Sequence, residues 1–169
     1  MAEPFNDAPV EPGVWRYAKA SRVRVVVDAA DYFDLMQRAM LKTRRRVLLI
    51  GWDFDTRIHL LRGRRWYQKG IKRQYPSRLG SFFLWLGRHN PQLELKILKW
   101  GFGALKLGLR GSMLLDLARW FPHRRIDFKF DNAHPLGCSH HQKLAVLDDT
   151  VAVCGGIDMT DRRWDTPEH

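Results

Sequence analysis

The chain lacks three features that would each have settled its class. No apolar run approaches the roughly 20 residues needed to cross a bilayer, and Met1-Ala2-Glu3-Pro4-Phe5-Asn6-Asp7 has neither the basic start nor the apolar stretch of an export signal. The expectation is therefore a soluble protein without a signal peptide. Only two cysteines occur among 169 residues, Cys138 and Cys154, and they form no CxxC pair. That excludes a disulfide framework and implies a reducing, cytoplasmic setting. Acidic residues are scarce beside basic ones, 18 against 29, for a formal net charge of +11. Such an excess favours anionic partners, lipid headgroups or nucleic acid, without choosing between them, and leaves peripheral association with a membrane surface open. Internal repeats and low-complexity tracts are absent too. What remains, with 45% hydrophobic residues, is a globular domain of ordinary size.

Pro4, Pro9, Pro12 and Gly13 mark residues 1–14 as a flexible lead-in, with the domain occupying 15–169 and order beginning near Trp15. Val23 to Val27 reads as a strand. Asp28 to Asp31 offers caps for a helix in which Phe33, Met36 and Met40 recur at helical spacing. A second strand follows from Arg46 to Phe54, so a first βαβ unit is expected to be complete by Phe54. Its end carries Gly51-Trp52-Asp53. Because open α/β sheets collect ligands at the C-terminal ends of their strands, Trp52 and Asp53 are candidate substrate-binding residues, though core packing is an equally good account of Trp52.

Arg62 to Tyr75 is a basic, aromatic stretch without periodicity, either a cover for a substrate entrance or an unstructured loop. Ser77 is placed to cap a helix whose Leu79, Phe82, Phe83 and Leu86 make one apolar stripe ending before Asn90-Pro91. Leu93, Leu95, Ile97 and Trp100 define the next strand, with Lys96 and Lys99 interspersed. Ser112 is a candidate cap for a third helix carrying Met113, Leu114, Leu117 and Trp120, and Ile126, Phe128 and Phe130 alternate as a further strand. Strand and helix repeat, which argues for α/β layers: a mixed β-sheet flanked by helices. Thr160-Asp161 offers a further helix start.

The densest chemistry lies between Ser139 and Asp158. Two short apolar runs joined by Asp148-Asp149 read as a β-hairpin. His141 and Lys143, two residues apart on a strand, share one face. A two-residue Asp148-Asp149 turn pairs Lys143 with Cys154 and His141 with Gly156. Gly155 and Gly156, which lack Cβ, leave room for a substrate oxygen, and Asp158 emerges just beyond. A nucleophilic imidazole, a fixed cation and an open wall suit a phosphodiester. Strand parity turns Asp148 to the opposite face, where an Asp in a turn holds backbone amides. His134 and His140 read as loop histidines. Cys138, His140, His141 and Cys154 match no zinc-ligand spacing.

His141-x-Lys143-x4-Asp148, followed by Gly155-Gly156-Ile157-Asp158, resembles the signature of the phospholipase D superfamily. Arg163-Trp164-Asp165 resembles the element that follows it in the lipid-acting branch, whereas the endonuclease branch more often carries Gly-Ser-x-Asn. The strand Val47 to Ile50 with Gly51-Trp52-Asp53, and the loop Asp131 to Pro135, also resemble bacterial members. The resemblance implies catalytic positions at His141, Lys143 and Asp148, a phosphohistidine intermediate, no metal or other cofactor, and hydrolysis of, or transfer from, a phospholipid. It also implies a second motif copy that donates the leaving-group proton. This sequence holds one copy, so the expectation is an N-terminal motif half, cut short at its C-terminal end, whose partner motif comes from a longer chain or a second subunit. A nuclease-like homodimer and a catalytically silent lipid- or nucleic-acid-binding domain are the alternatives.

Overall fold

The computed structural model describes residues 11–14, 17–61, 75–101, 111–135 and 138–168. The basic stretch 62–74 and Trp15 lie outside them.

Helix α1, Ala29–Lys42, forms where the apolar spacing predicts it. Phe33, Met36 and Met40 fall on one side and are fully buried. Asp28 occupies its N-cap position with φ 64 and makes no side-chain capping bond. Strand β1, Arg46–Gly51, buries Val47 and Leu49. It ends at Gly51, short of the expected Phe54. Helix α2, Leu79–His89, buries Leu79, Phe82, Phe83 and Leu86 as the stripe requires, and stops at Asn90 before Pro91. Strand β2, Glu94–Trp100, and helix α3, Gly111–Trp120, follow. In α3, Met113 and Trp120 are buried, whereas Leu114 faces solvent. Strand β3, Ile126–Asp131, and the hairpin strands β4, Leu144–Leu147, and β5, Val151–Cys154, complete the sheet. A 3-10 turn at Asp161–Arg163 lies where Thr160-Asp161 offers a helix start.

The protein is thus mixed α/β, with a five-stranded sheet in the order β3-β2-β1-β4-β5 and three helices among the described residues. β1, β2 and β3 run parallel, and β4 and β5 are antiparallel. In register, Val47, Leu95, Ile126 and Leu147 are neighbours, as are Leu49, Ile97, Phe128 and Ala145. These rows form one face of the sheet, and they share a single apolar core with residues from all three helices. Gly80 allows α2 to approach α3: a Cβ there would meet the Asp116 carboxylate at 2.6 Å. Trp120 Nε1 donates to the Gly80 carbonyl at 3.1 Å, and Arg78 grips Asp116 with two bonds of 2.9 and 2.7 Å.

Five sequence expectations are corrected. Val23 to Val27 forms no strand, and Val23, Val25 and Val27 are exposed at 86%, 82% and 63%. β-branched propensity yields a strand only where another strand supplies its hydrogen-bonding ladder, and none described does so here. The first parallel crossover is consequently β1-α2-β2, and no βαβ unit closes by Phe54. Ser77 does not cap α2. Arg78 holds the N-cap position without a side-chain bond, and Ser77 Oγ bonds His59 Nδ1 at 2.7 Å. Ser112 likewise lies inside α3. The hairpin register differs by one: Leu144, not Lys143, pairs with Cys154. Asp148 and Asp149 do turn the chain, both with positive φ (50 and 57), but Thr150 joins the connection as a third residue. That extra residue shifts every partner on β5 by one position.

Candidate functional site

The topology gathers the candidate residues at one edge of the sheet. β1, β2 and β3 end there, at Gly51, Trp100 and Asp131, while antiparallel β4 starts there, because Ile50 lies opposite Leu144. Chain segments that leave parallel strands at this edge converge on one another, as in other open α/β sheets. His141 and Lys143 are in the segment entering β4, just ahead of its ladder. Lys143 continues the inward row of Ala145 and Leu147, so its stem is buried and its ammonium reaches the rim. The Gly155 N–H donates to the Lys143 carbonyl at 3.3 Å, which sets Lys143 opposite Gly155.

Lys143 Nζ lies 2.9 Å from His141 Nε2 and 3.3 Å from Asp158 Oδ2. An ammonium has donors only, so Nε2 accepts and the ring proton sits on Nδ1. His141 itself is exposed. Its ring meets the Trp52 ring edge-on, with centroids 5.6 Å apart, and Trp52 stacks on Trp100 at 5.4 Å. The two tryptophans form a wall beside the imidazole. An added Cβ at Gly155 or Gly156 would find nothing within 4 Å. The glycines therefore border open space.

Behind the wall the charges are paired. Asp158, whose side chain is only 2% exposed, accepts the Asp53 N–H on Oδ1 at 3.3 Å while its other oxygen faces Lys143. Asp53 pairs with Lys99 at 2.5 Å. Gly51 packs closely against Asp53 and Asp158: a Cβ there would come within 3.1 Å of the Asp53 carbonyl and 3.3 Å of Asp158 Oδ1, so its neighbours would have to give by a few tenths of an ångström. Tyr32, Asp53, Lys143 and Asp158 line a cavity of about 20 Å³, enough for one water. Burial first, and then the Asp158 carboxylate, push the Tyr32 phenol up to about 12, so it remains a hydroxyl at any ordinary pH.

Asp148 stands apart, at the far end of β4. Its carboxylate accepts three backbone N–H bonds of 2.8 Å each, from Arg44, Arg45 and Arg46. Desolvation alone would raise its titration, but these bonds and the Arg45 charge outweigh that and hold the carboxyl below its usual range. The parity argument for Asp148 matches this geometry, in which the side chain ties the hairpin turn to the start of β1. His140 lies 3.5 Å from Asp131, and His134 Nδ1 bonds the Pro135 carbonyl.

The structure brings together His141, Lys143, Asp158, Trp52 and Asp53, sets Gly155 opposite Lys143, and leaves Asp148 outside; the one-residue shift moves Gly156 away from its expected place opposite His141. Sequence reasoning missed Lys99. Its signal was its parity: Lys99 shares the face of Leu95 and Ile97, and a lysine in a buried row requires a partner. Among the described residues no three His, Cys, Asp or Glu side chains converge to hold a metal ion, and no helix is long and apolar enough to cross a membrane.

The protein is similar to phospholipase D B of Dictyostelium discoideum, 24% identical over 163 residues, which is 90% of this chain. It is similar to human phospholipase D1, 27% identical over 150 residues, or 85% of the chain. Identity to Schizosaccharomyces pombe phospholipase D1 reaches 52% within a 31-residue stretch. No family model matches the chain. The first two relatives are much longer proteins, of which the chain spans 12% and 13%. These similarities support placement in the phospholipase D superfamily.

Proposed function

We propose that this is a phospholipase D-like phosphodiesterase or phosphatidyltransferase domain in which His141 is the nucleophile. The observation that carries the reading is the 2.9 Å contact between Lys143 Nζ and His141 Nε2, with open ground at Gly155 opposite Lys143. A phosphodiester entering that space draws the Lys143 proton from Nε2 to a phosphoryl oxygen. This frees the lone pair for attack and stabilises the equatorial charge as it builds. The N–P bond forms and the P–O bond to the leaving alcohol breaks, with a proton delivered to the departing oxygen from the far side. Water or an alcohol then attacks phosphorus and breaks the N–P bond, giving hydrolysis or transfer.

The proton donor is the incomplete part. General-acid help is worth about 10²- to 10⁴-fold, and one hairpin does not stand on both sides of a phosphorus atom. In this reading a second motif, from a longer chain or a second subunit, supplies the acid, and an anionic membrane surface presents the substrate to the basic domain. Asp148 serves as a structural member of the motif and Asp158 as the anchor of Lys143.

The test is to trap the phosphoenzyme. The chain supplied with a second motif half should form an acid-labile phosphohistidine from a labelled phosphodiester and turn over phosphatidylcholine, whereas the purified monomer should not turn over. His141→Ala should abolish the label without loss of fold. Retention of the label in His141→Ala, or robust turnover by the monomer, would overturn the reading.

A further inference from the structure

Helix α3 has its polarity reversed. Its one acidic residue, Asp116, is buried and held by Arg78, whereas Leu114 and Leu115 are 46% and 61% exposed. Phe121, whose N–H donates to the Leu117 carbonyl at 2.8 Å and so continues the helical turn, is 92% exposed. Met113, Asp116 and Trp120 face the interior. At helical spacing Leu114, Ala118 and Phe121 therefore share the outer side, with Leu115 beside them. A surface helix ordinarily turns its charges outward and its leucines inward. Single exposed apolar residues are common, but adjoining ones mark a contact surface.

The rim of this face is basic. The Arg119 side chain is 63% exposed, 3.9 Å from Asp116, and Arg124 is exposed just after Phe121. Arg125 donates to the Pro91 and Gly87 carbonyls at 2.7 and 3.4 Å. Burial first, and then the Arg125 and Arg88 charges, lower the titration of His123, so these cations stand close together at the end of α3. From Met113 to Arg125 the only carboxylate is that of Asp116, which is turned inward. We propose that the outer face of α3 docks on an anionic phospholipid surface, with Leu114, Leu115 and Phe121 entering the boundary between headgroups and acyl chains and with Arg119 and Arg124 meeting lipid phosphates. An apolar face within a cationic rim is complementary to that boundary, where apolar groups leave water and cations find phosphate. The inference rests on the phospholipid reading of the site and names the surface by which the domain meets its substrate's bilayer.

The test is flotation of the full chain with vesicles of phosphatidylcholine containing about 30% phosphatidylserine, in about 0.1 M salt. Leu114→Ser/Leu115→Ser/Phe121→Ser should lower partitioning by about 100-fold or more, since each inserted apolar side chain is worth about tenfold. Arg119→Gln/Arg124→Gln should lower it by about 20-fold, about fivefold for each cation. Val23→Ser/Val25→Ser/Val27→Ser, which removes as many exposed apolar side chains elsewhere, should change it little. All of these side chains already stand in water, so urea midpoints should be kept; should the triple α3 variant unfold, Phe121→Ser alone decides, with a loss of about tenfold expected. Equal partitioning of the wild type and the α3 variant, an equal loss in the valine variant, or no binding by the wild type overturns the proposal. So does a wild-type dimer in sedimentation velocity that the α3 variant dissolves, because the face then belongs to a second copy.

Docking and chemistry fail separately. A soluble labelled phosphodiester reports the chemistry in the assembled protein, and the α3 variants should form the His141 phosphoenzyme from it as the wild type does, while losing turnover on vesicles in proportion to their lost partitioning. Vesicle binding through α3 without any phosphoenzyme leaves the docking face standing and removes the phosphoryl reading. A phosphoenzyme in α3 variants that bind vesicles like the wild type removes the docking face alone.

Discussion

Asp148→Asn separates architecture from chemistry most sharply. In the wild type, Oδ1 accepts the Arg45 and Arg46 N–H groups and Oδ2 accepts that of Arg44. Asparagine keeps the shape and tolerates the positive φ of this position. It retains one acceptor for Arg45 and Arg46 but turns an NH₂ toward the Arg44 N–H. A hydrogen bond to a charged group is worth about 1.5–3 kcal/mol when shielded. Two of these three are exposed, so screening reduces them to about 1 kcal/mol apiece. Loss of one bond and weakening of two should therefore cost about 1–2 kcal/mol at pH 7, or a few degrees in Tm for a domain of this size. Alanine, which loses all three and carries left-handed strain, should cost about 3 kcal/mol.

The pH dependence of that loss has a definite sign. The folded carboxyl of Asp148 titrates below its usual value, so its contribution is complete above the unfolded value of about 3.9 and is lost as pH falls through the folded one. Asparagine resembles the protonated acid. Urea unfolding of both proteins at several pH values between 7 and 3 should show a constant gap at neutral pH that closes below about pH 4. Equal stability at pH 7, or a gap undiminished at pH 3, would refute the three-amide account of Asp148.

Other perturbations follow from the same geometry. Lys143→Ala, in the assembled enzyme, should lower turnover by about 10²- to 10³-fold, the usual effect of removing one transition-state stabiliser, and Asp148→Asn should lower it less; steady-state rates on phosphatidylcholine rank the two. Asp116→Ala strands the Arg78 guanidinium at the α2-α3 junction, where Asp116 is 3% and Arg78 26% exposed. Its cost should be about 2–4 kcal/mol, read as a shift in urea midpoint, and a loss below 0.5 kcal/mol would mean the pair is dispensable. The charge of +11 predicts binding to anionic liposomes and to nucleic acid alike, weakening by more than about tenfold between 50 and 200 mM salt; a tight, salt-insensitive preference for one DNA sequence would refute it.

Much of the scaffold is local, and the sequence by itself determined it. The apolar stripes of Phe33, Met36 and Met40 and of Leu79, Phe82, Phe83 and Leu86 each have one solution at helical period. Alternation likewise marks the inward row of β2, and parity alone separates Asp148 from Lys143. Pairing is a different matter, because a strand exists only with its neighbour. Val23 to Val27 has every local attribute of a strand and no ladder, and Thr150, unremarkable in composition, moves the hairpin register by one. The charged line from Lys99 to Lys143 joins residues 44 positions apart. It became visible only when parallel pairing set Lys99 beside Gly51, and antiparallel pairing carried Lys143 to the same edge. Burial of ionic groups is a property of the assembled sheet, since the cost that obliges a buried carboxylate to be paired arises only after water has been excluded.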